Sequence, residues 1–447
     1  MKSLLYLMLG LGLSFSLLTP LTVAETSPAP LVVDREFAGL LDLYKSLHAH
    51  PELSYHETNT AARIAAEWRQ AGYEVTTGVG GGVVAVLRNG PGRTLLLRTE
   101  LDALPVTEQT GLEFASTVTT RDETGKEVGV MHACGHDIHM ASLVGAGRVL
   151  AQLTNHWRGT LVLIAQPAEE RGGGAKAMIA DGLFTRFPRP DYCLAFHDSA
   201  DTPAGLITYA SGYASANADS VDITVRGVGG HGAYPQKTKD PVLLAAQIVV
   251  ALQTIVSRET RPSEPVVVTV GTIHGGTKNN IIPDEVKLQL TVRTYGDESR
   301  QQTLAAIQRI ARGCAATAGL PEELMPVIKM GADYTPSLYN DPKLTQRVIG
   351  VLSAQLGETN VTTKPPGAGA EDFSRYGRTD DKIPIFMFNV GGVNREAYAT
   401  AMKTGAPLPS LHSSRWAPDP EPTLRAGVTA LTLAALDLLK PETSHPK

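Results

Sequence analysis

The sequence is poor in cysteine, and this narrows how the fold can be held together. Only three cysteines occur in 447 residues, namely Cys134, Cys193 and Cys314. Three thiols form at most one disulfide, so a disulfide framework is excluded. Cys193 and Cys314 stand in apolar surroundings, as small core residues do, whereas Cys134 is flanked by histidines.

Strong charge of either sign is also missing. The formal net charge is −5 at pH 7, and the sequence contains no basic stripe or polybasic patch. These absences exclude nucleic acids and anionic membrane surfaces as partners. A G-x-G-x-x-G match at residues 227–232 is followed by Pro235 and not by a helical pattern, which excludes dinucleotide binding. Small molecules and other proteins remain as partners.

A long apolar run occurs only at the N-terminus. The first residues carry one positive charge at Lys2, an apolar run over Leu4–Leu18 and small residues that end at Ala24. This pattern predicts a cleaved secretory signal, residues 1–24, and a mature protein that is periplasmic or secreted and has no membrane anchor. An uncleaved anchor is the alternative, but the run is shorter than the ~20 apolar residues that a spanning helix needs.

The order of the predicted strands and helices indicates two structural units. In residues 25–213, short apolar strands alternate with helical patterns, which predicts a sheet with helices on both faces. Between residues 214 and 330 the pattern changes to about four strands and two helices, as in a compact α+β unit. Residues 331–447 are expected to rejoin the first unit.

The stretch MHACGHDIHM, residues 131–140, combines three histidines with one of the cysteines. Two interpretations are open, a buried turn that is rich in histidine or half of a metal site. Thiolate and imidazole suit borderline-soft divalent cations, but a site also needs ligands from distant segments.

Further ligand candidates stand near other predicted strands. Glu169 and Glu170 come after an apolar strand and before a glycine-rich turn. His197 ends another apolar strand, and His412 lies near the C-terminus. Each alone is more often a solvated or core residue. Because ligands in such folds gather at the carboxyl ends of the strands, their joint presence favours one common site.

Several longer motifs occur in the order of a known family and cover nearly the whole mature chain. They are LHAHPELSYHETNTA, LLLRTELDALPV, MHACGHDIHM, QPAEERGGGA, GVGGHGAYP, NNIIPDEVKL, GAEDFS and LHSSRWAPDP. With these motifs the chain resembles the metal-dependent aminoacylase and carboxypeptidase superfamily. Within it, the chain is similar to the amidohydrolase branch of hippurate hydrolases, auxin-conjugate hydrolases and N-acyl-amino-acid amidohydrolases.

The resemblance implies an α/β catalytic domain with a mixed sheet, residues 25–213 and 331–447. A smaller ferredoxin-like α+β domain for lid closure or dimerisation, residues 214–330, would be inserted into it.

The resemblance also implies a site for two divalent metal ions, zinc or manganese. Cys134 would bridge the ions as a thiolate, and a two-residue spacing on an irregular loop would let His136 join it. Glu100 stands where other branches carry a ligand histidine, and we do not expect it to bind metal. The complete implied ligand set is Cys134, His136, Glu170, His197 and His412.

Catalytic roles follow from the same resemblance. Glu169 would be the general base that takes a proton from metal-activated water and returns it to the leaving amine. Asp102 would orient the site from behind the ligands. On the inserted domain, His231 would stabilise the oxyanion, often across a dimer interface, and Asn280 would contact the substrate. Arg293 is either the partner of a substrate carboxylate or a charge on the strand surface.

Three further residues of the motifs receive modest roles. Asp137 is expected to stabilise the local turn. His139 is expected to lie on a helix face, and a position behind the metal ligands is the alternative. His48 has no partner that the sequence identifies, so a solvated or capping role is expected.

The predicted function is hydrolysis of the amide bond of an N-acyl amino acid by metal-activated water. A homodimer through residues 214–330 is also expected. A metallo-dipeptidase or carboxypeptidase is the alternative among enzymes. A non-catalytic protein that binds metal or peptide is the alternative from another class, but the presence of Glu169 beside all expected ligands argues against it.

Overall fold

The structure is a computed structural model that describes residues 27–122 and 124–441. The predicted signal, residues 1–24, lies outside the described residues and stays a prediction. Ten α-helices occur in the described part: α1 Ala29–Ala49, α2 Thr58–Gln70, α3 His136–Gln152, α4 Gly174–Ala180, α5 Leu183–Arg186, α6 Pro241–Thr254, α7 Asp297–Thr317, α8 Pro342–Leu356, α9 Arg395–Thr404 and α10 Pro420–Leu438.

Eighteen strands accompany these helices within the same residues. They are β1 Glu74–Val79, β2 Gly82–Asn89, β3 Thr94–Glu100, β4 Thr119–Arg121, β5 Glu127–Gly129, β6 Gly159–Gln166, β7 Tyr192–Pro203, β8 Ile207–Tyr209, β9 Gly212–Tyr213, β10 Asn217–Arg226, β11 Gly230–His231, β12 Val267–Gly275, β13 Ile281–Ile282, β14 Glu285–Thr294, β15 Val327–Met330, β16 Tyr339–Asn340, β17 Val361–Thr363 and β18 Ile385–Val393.

The larger sheet has eight strands in the order β1-β2-β6-β3-β7-β18-β8-β17. Its centre is parallel, from β6 through β3 and β7 to β18, whereas β1, β2 and β8 add antiparallel pairs. The central strands are apolar on both sides because helices α1, α3 and α10 pack on one face and α4 lies on the other. The predicted mixed sheet flanked by helices is confirmed.

The smaller sheet has four antiparallel strands in the order β12-β14-β10-β15. Along the chain its elements follow the β-α-β-β-α-β pattern of ferredoxin-like units, with α6 and α7 as the helices. Strand β10 alternates buried and exposed residues, so one face of the sheet meets the two helices in a separate hydrophobic core. The boundaries at residues 214 and 330, and the role of this unit as a lid or dimerisation domain, stay predictions.

Helix α6 is unusually apolar. By length and composition alone, the segment Pro241–Glu259 would be able to cross a membrane, with a mean hydropathy of 1.6. In the structure, its Leu244, Ile248 and Leu252 pack into the core of the smaller sheet. Its opposite side exposes Val250, whose surface is 72% accessible.

Candidate active site

The site lies at the carboxyl ends of β3 and β6, where ligands of parallel sheets bind. Asp102 follows β3 by two residues, and Glu169 and Glu170 follow β6 after a short turn. His136 is the first residue of α3. The expected position at a strand end is wrong for two residues. His197 lies within β7, and His412 lies on the loop between α9 and α10.

The conformation of the turn after β6 positions the side chains of Glu169 and Glu170. Ala168 adopts a left-handed conformation with φ 49°, and its N–H donates a hydrogen bond of 2.7 Å to Glu57. A Cβ atom on Gly174 would lie 1.5 Å from the carbonyl oxygen of Pro167, so only glycine fits where α4 begins. This close approach holds Glu169 in a fixed position at the end of the strand.

Five ligand-type side chains converge beside this turn. Cys134 Sγ lies 3.5 Å from His197 Nε2, and His412 Nε2 lies 3.4 Å from Glu170 Oε1. His136 Nε2 is 3.9 Å from the same Glu170 oxygen. Within two groups that share Cys134, all ligand atoms are within 4.8 Å of one another, namely Cys134 with His136 and His197, and Cys134 with Glu170 and His412.

The hydrogen bonds of the histidines prepare this cluster for cations. His136 Nδ1 lies 2.8 Å from the carbonyl oxygen of Asp102, and His197 Nδ1 lies 2.8 Å from that of Asp198. A carbonyl oxygen only accepts, so each Nδ1 carries a proton and each Nε2 is turned towards the cluster, where the neutral form of the ring would offer its lone pair to a cation. His136 Nε2 and Glu170 Oε1 are buried without a hydrogen-bond partner in the described part of the chain. These two atoms without partners are of the kinds that bind divalent metal ions.

The pKa of the Cys134 thiol also indicates a cation at this position. Burial raises the pKa of the Cys134 thiol well above its usual value, and the carboxylates of Glu170 and Asp198 raise it further. A thiolate at this position therefore needs a compensating positive charge, which a bound cation provides.

The two adjacent glutamates differ in their proton affinity. Burial raises the pKa of Glu169 well above its usual value, and the nearby Glu371 and Glu170 carboxylates raise it further. Burial also acts on Glu170, but the close approach of His412 and the charge of His136 outweigh it and lower its pKa. Two carboxyl groups whose environments separate their pKa values are suited to different roles, one as acid and base and the other as ligand.

Asp102 holds two of the converging segments together. Its Oδ2 accepts hydrogen bonds of 2.7 Å from the Ser54 hydroxyl and 3.0 Å from the backbone N–H of Glu170. Its Oδ1 lies 3.3 Å from His136 Nδ1. Asp102 is 1% exposed, so these contacts are shielded from water. Sequence reasoning missed Ser54, which stands in the first family motif.

A second buried layer surrounds the ligand-type side chains. His139 is 1% exposed and contacts Glu100 at 3.1 Å and Asp198 at 3.2 Å, so it does not face solvent from the helix. Trp416 donates a hydrogen bond of 3.0 Å to Asp198, which ties the His412 loop to β7. Glu100 is also paired with the buried Arg98.

His48 also belongs to the interior, and the expected solvated or capping role is wrong. Its Nδ1 lies 2.6 Å from Asp137 and its Nε2 lies 2.9 Å from Glu108. Burial on its own lowers the pKa of His48, but the bonds to both carboxylates outweigh it and raise the pKa to about 10. Asp137 also accepts a hydrogen bond of 2.9 Å from the N–H of Ile138, so His48 links α1 to the start of α3 beside the cluster.

Two cavities meet at the glutamates. The larger has a volume of about 810 Å³ and reaches Cys134 and His197. The smaller has a volume of about 660 Å³ and extends towards Tyr55 and Arg375. Both are lined by Glu169, Glu170, Arg293, Ala370 and His412. A substrate whose scissile bond lies at the cluster therefore has room on both sides.

The predicted substrate contacts of the smaller sheet separate into two groups. Arg293 on β14 lines both cavities. His231 and Asn280 are exposed and lie beside each other, since the N–H of Gly232 donates a hydrogen bond of 2.8 Å to the carbonyl of Asn280. Neither residue lines the two cavities, so the structure does not bring them to the site of their own chain.

Comparison with known proteins agrees with this geometry. The profile described as peptidase family M20/M25/M40 matches residues 96–404. Thermostable carboxypeptidase 1 of Saccharolobus solfataricus is 37% identical over 402 residues, which cover 89% of this chain and 94% of that protein. N-acetylcysteine deacetylase of Bacillus subtilis is 34% identical over 364 residues, which cover 80% of this chain and 90% of that protein. Hippurate hydrolase of Campylobacter jejuni is 41% identical over 271 residues, which cover 60% of this chain and 68% of that protein.

A solved structure supports the same assignment. The YXEP protein of Bacillus subtilis, described as a dinuclear metal binding peptidase from the M20 family, superposes with a TM-score of 0.73 and is 29% identical. The match covers 91% of this chain and 99% of that structure. The chain therefore belongs to peptidase family M20/M25/M40, and it is a metal-dependent amidohydrolase.

Proposed function

We propose that this amidohydrolase uses two metal ions to hydrolyse the amide bond of N-acyl amino acids, outside the cytoplasm as its N-terminal sequence predicts. This proposal rests on the two groups of ligand-type side chains that share Cys134. They lie beside Glu169 and between the two cavities. Relatives named hippurate hydrolase and N-acetylcysteine deacetylase support the substrate class.

The ligand groups suggest how the ions would be held. Because Cys134 belongs to both groups, its sulfur would serve two cations, zinc or manganese, while the imidazoles and Glu170 complete the set. When bound, divalent cations polarise a carbonyl group and lower the pKa of a coordinated water molecule.

Glu169 is suited to move the proton. Its Oε2 lies 4.0 Å from His136 Nε2, and its side chain faces both cavities. Glu169 would take the proton of the attacking water and later donate it to the amine nitrogen as the amide C–N bond breaks. The products are a carboxylic acid and a free amino acid.

Arg293 is suited to bind the carboxylate of the substrate. It is half-buried, and no ion pair joins it to an acidic side chain in the part of the chain that the structure describes. Its one side-chain hydrogen bond there is a contact of 3.4 Å to the carbonyl of Val292. A guanidinium group without an acidic partner at the junction of the cavities offers a bidentate site for a carboxylate.

The acidic groups around the cavities favour N-acyl substrates over free dipeptides. A dipeptide carries an ammonium group that needs an acidic partner. In the described part of the chain, Asp333 is already paired with Lys176 and Arg375, and Asp201 is paired with Lys364. Carboxypeptidase activity remains the second candidate because a relative with 37% identity carries that name.

We also propose a homodimer in which His231 acts on the site of the partner. His231 and Asn280 are exposed and lie outside the cavities of their own chain. The same unit exposes apolar side chains, including Leu243 and Val250 on α6 and Ile273 on β12, and such patches are typical of interfaces.

The first prediction concerns the general base. Glu169→Gln should lower kcat by about 10²- to 10⁴-fold, because the amide cannot accept the proton, while metal content by elemental analysis stays that of the parent. Glu170→Gln is the matched variant, and it should lose metal as well as activity. A Glu169→Gln protein that turns over near the parental rate would mean that another group is the base.

The second prediction concerns the bridging sulfur. Cys134→Ala should bind fewer metal ions per chain than the parent, because both ligand groups lose a common member. Cys314→Ala, a partly exposed thiol outside the cluster, should bind the parental number. Two ions per chain in Cys134→Ala, measured by elemental analysis after gel filtration, would reject the bridging role.

The third prediction concerns substrate orientation. Arg293→Met should raise KM for an N-acyl amino acid by about 10- to 100-fold, the usual loss for a hydrogen-bonded charge pair, but not KM for the corresponding N-acyl amino acid amide. Lys287→Met, an exposed change on the same strand, is the control. An equal rise for both substrates would argue against carboxylate binding.

The fourth prediction tests the dimer by complementation. Homodimers of Glu169→Gln and of His231→Ala should both be poorly active. A heterodimer of the two chains, purified with two different tags, should recover activity at one of its two sites, because one intact Glu169 then faces one intact His231. A monomeric mass in solution, or a heterodimer as inactive as its parents, would contradict action across an interface.

A further inference from the structure

Left-handed backbone conformations are concentrated at the site. Within the described residues, four residues other than glycine have a positive φ, namely Tyr55 (68°), Ala168 (49°), Lys382 (50°) and His412 (65°). Tyr55 and His412 line the smaller cavity, and Ala168 directly precedes Glu169. A Cβ atom makes this conformation unfavourable, so it persists only where neighbouring contacts enforce it.

The backbone on either side of Glu169 is held by two different side chains. The N–H of Ala168 donates a hydrogen bond of 2.7 Å to Glu57, which is 5% exposed. The N–H of Glu170 donates a hydrogen bond of 3.0 Å to Asp102. Because the two supports are separate, loss of the bond to Glu57 would free the direction of Glu169 while Asp102 still holds the backbone of Glu170.

A second contact joins the same two segments. At Gly173, near the end of the turn, an added Cβ atom would lie 2.1 Å from the hydroxyl oxygen of Tyr55. The Tyr55 side chain therefore packs closely against the end of the turn, whereas Glu57 binds its beginning at Ala168. Two neighbouring side chains between α1 and α2 thus contact both ends of the turn that carries the glutamates.

The segment that carries these side chains is itself well anchored. The carboxylate of Glu52 accepts hydrogen bonds of 2.8 Å from the N–H of Thr60 and from the side-chain amide of Asn59, at the start of α2. The carbonyl of Glu52 accepts a hydrogen bond of 2.8 Å from the N–H of Ala103, after β3. These contacts tie the segment to α2 and to the larger sheet, so it offers the turn a fixed support.

We propose that residues 54–57 form a brace that sets the conformation of the turn after β6, and that Glu57 is a positioning residue. Its bond to the N–H of Ala168 holds Ala168 in the left-handed conformation and thereby directs Glu169 at the cluster. The effect of the brace on turnover rests on the proposed function, because it acts through Glu169 as the group that moves the proton.

A pair of variants tests the kinetic consequence. Glu57→Leu keeps the size of a buried side chain but offers the N–H of Ala168 no acceptor. With zinc-loaded enzyme and benzoylglycine, kcat should fall by about 10- to 100-fold, as expected when a reacting group is displaced, while zinc content stays parental. Glu57→Gln keeps an accepting oxygen and should retain most of kcat. Parental turnover in a folded Glu57→Leu protein would overturn the proposal.

The matched control is a glutamate of similar burial outside the site. Glu67 is 7% exposed and pairs with Arg63 and Arg148. Glu67→Leu should lower the melting temperature but leave kcat near that of the parent. If Glu67→Leu slows turnover as much as Glu57→Leu does, the effect of Glu57 is a general loss of structure, and the positioning role is rejected.

A compensating change separates positioning from other effects of the lost carboxylate. Glycine adopts positive φ about as readily as negative φ, so Ala168→Gly removes the penalty that the bond to Glu57 offsets. Added to Glu57→Leu, Ala168→Gly should raise kcat by about threefold or more. Glu57→Gln with Ala168→Gly should show no such gain, because the bond is still present. A double variant that is as slow as Glu57→Leu alone would contradict the brace.

Crystallography separates failure of the brace from failure of the proposed function. If Glu169→Gln turns over near the parental rate, the proposed base is wrong, and the structure of Glu57→Leu still decides the brace. In that variant Ala168 should leave the left-handed region and the Glu169 side chain should be displaced. A parental φ at Ala168, with Glu169 in its parental position, would overturn the proposal.

Discussion

Asp102 is the side chain on which the arrangement of the site depends most. Its backbone carbonyl and one carboxylate oxygen engage His136, and the other oxygen engages the backbone of Glu170 and the hydroxyl of Ser54. Three distant segments therefore meet at one residue just after β3. Because Oδ2 accepts two hydrogen bonds and the side chain is shielded from water, Asp102 holds the turn that carries the two glutamates beside His136.

The concentration of acidic groups behind the site is held by one buried cation. Arg98 contacts Glu100, Glu371 and Asp372, and all four side chains are at most 7% exposed. Without the guanidinium group these carboxylates would repel one another in a medium of low polarity. Burial and the neighbouring Glu371 raise the pKa of Asp372 to about 7, although Arg98 acts against them. Ala370, which lines both cavities and directly precedes Glu371, is thereby tied to the centre of the larger sheet.

Local patterns predicted much of the fold, because period and composition are properties of short segments. The alternation in β10 and the apolar run of β6 identify strands, and the change of pattern near residue 214 coincides with the start of the smaller sheet. Helix α8 was not predicted, although Asp341 and Pro342 give its start the usual cap and first-turn residues. That signal was present in the sequence.

The partners of single residues were harder to predict because they come from distant parts of the chain. The spacing of Cys134 and His136 pointed to metal, but the left-handed Gly135 between them, with φ 75°, is visible only in three dimensions. A Cβ there would lie 2.5 Å from the Asp198 carboxylate. The carboxylates around His48 stand 60 and 89 residues away, and no local pattern connects such positions.

The cluster lies between two cavities whose walls are formed partly by segments other than those that carry the ligand-type side chains. The proposed ligands come from β7, the segment that leads into α3, the turn after β6 and the loop after α9. The walls include further segments, with α9 on one side and the smaller sheet on the other, and the loop after α9 carries His412 together with the wall residues Leu408 and Leu411. Met402 on α9 lines the larger cavity but packs little against the core. Part of the cavity wall therefore lies on elements that contribute no ligand-type side chain, and on those elements the wall can change without a change at the cluster.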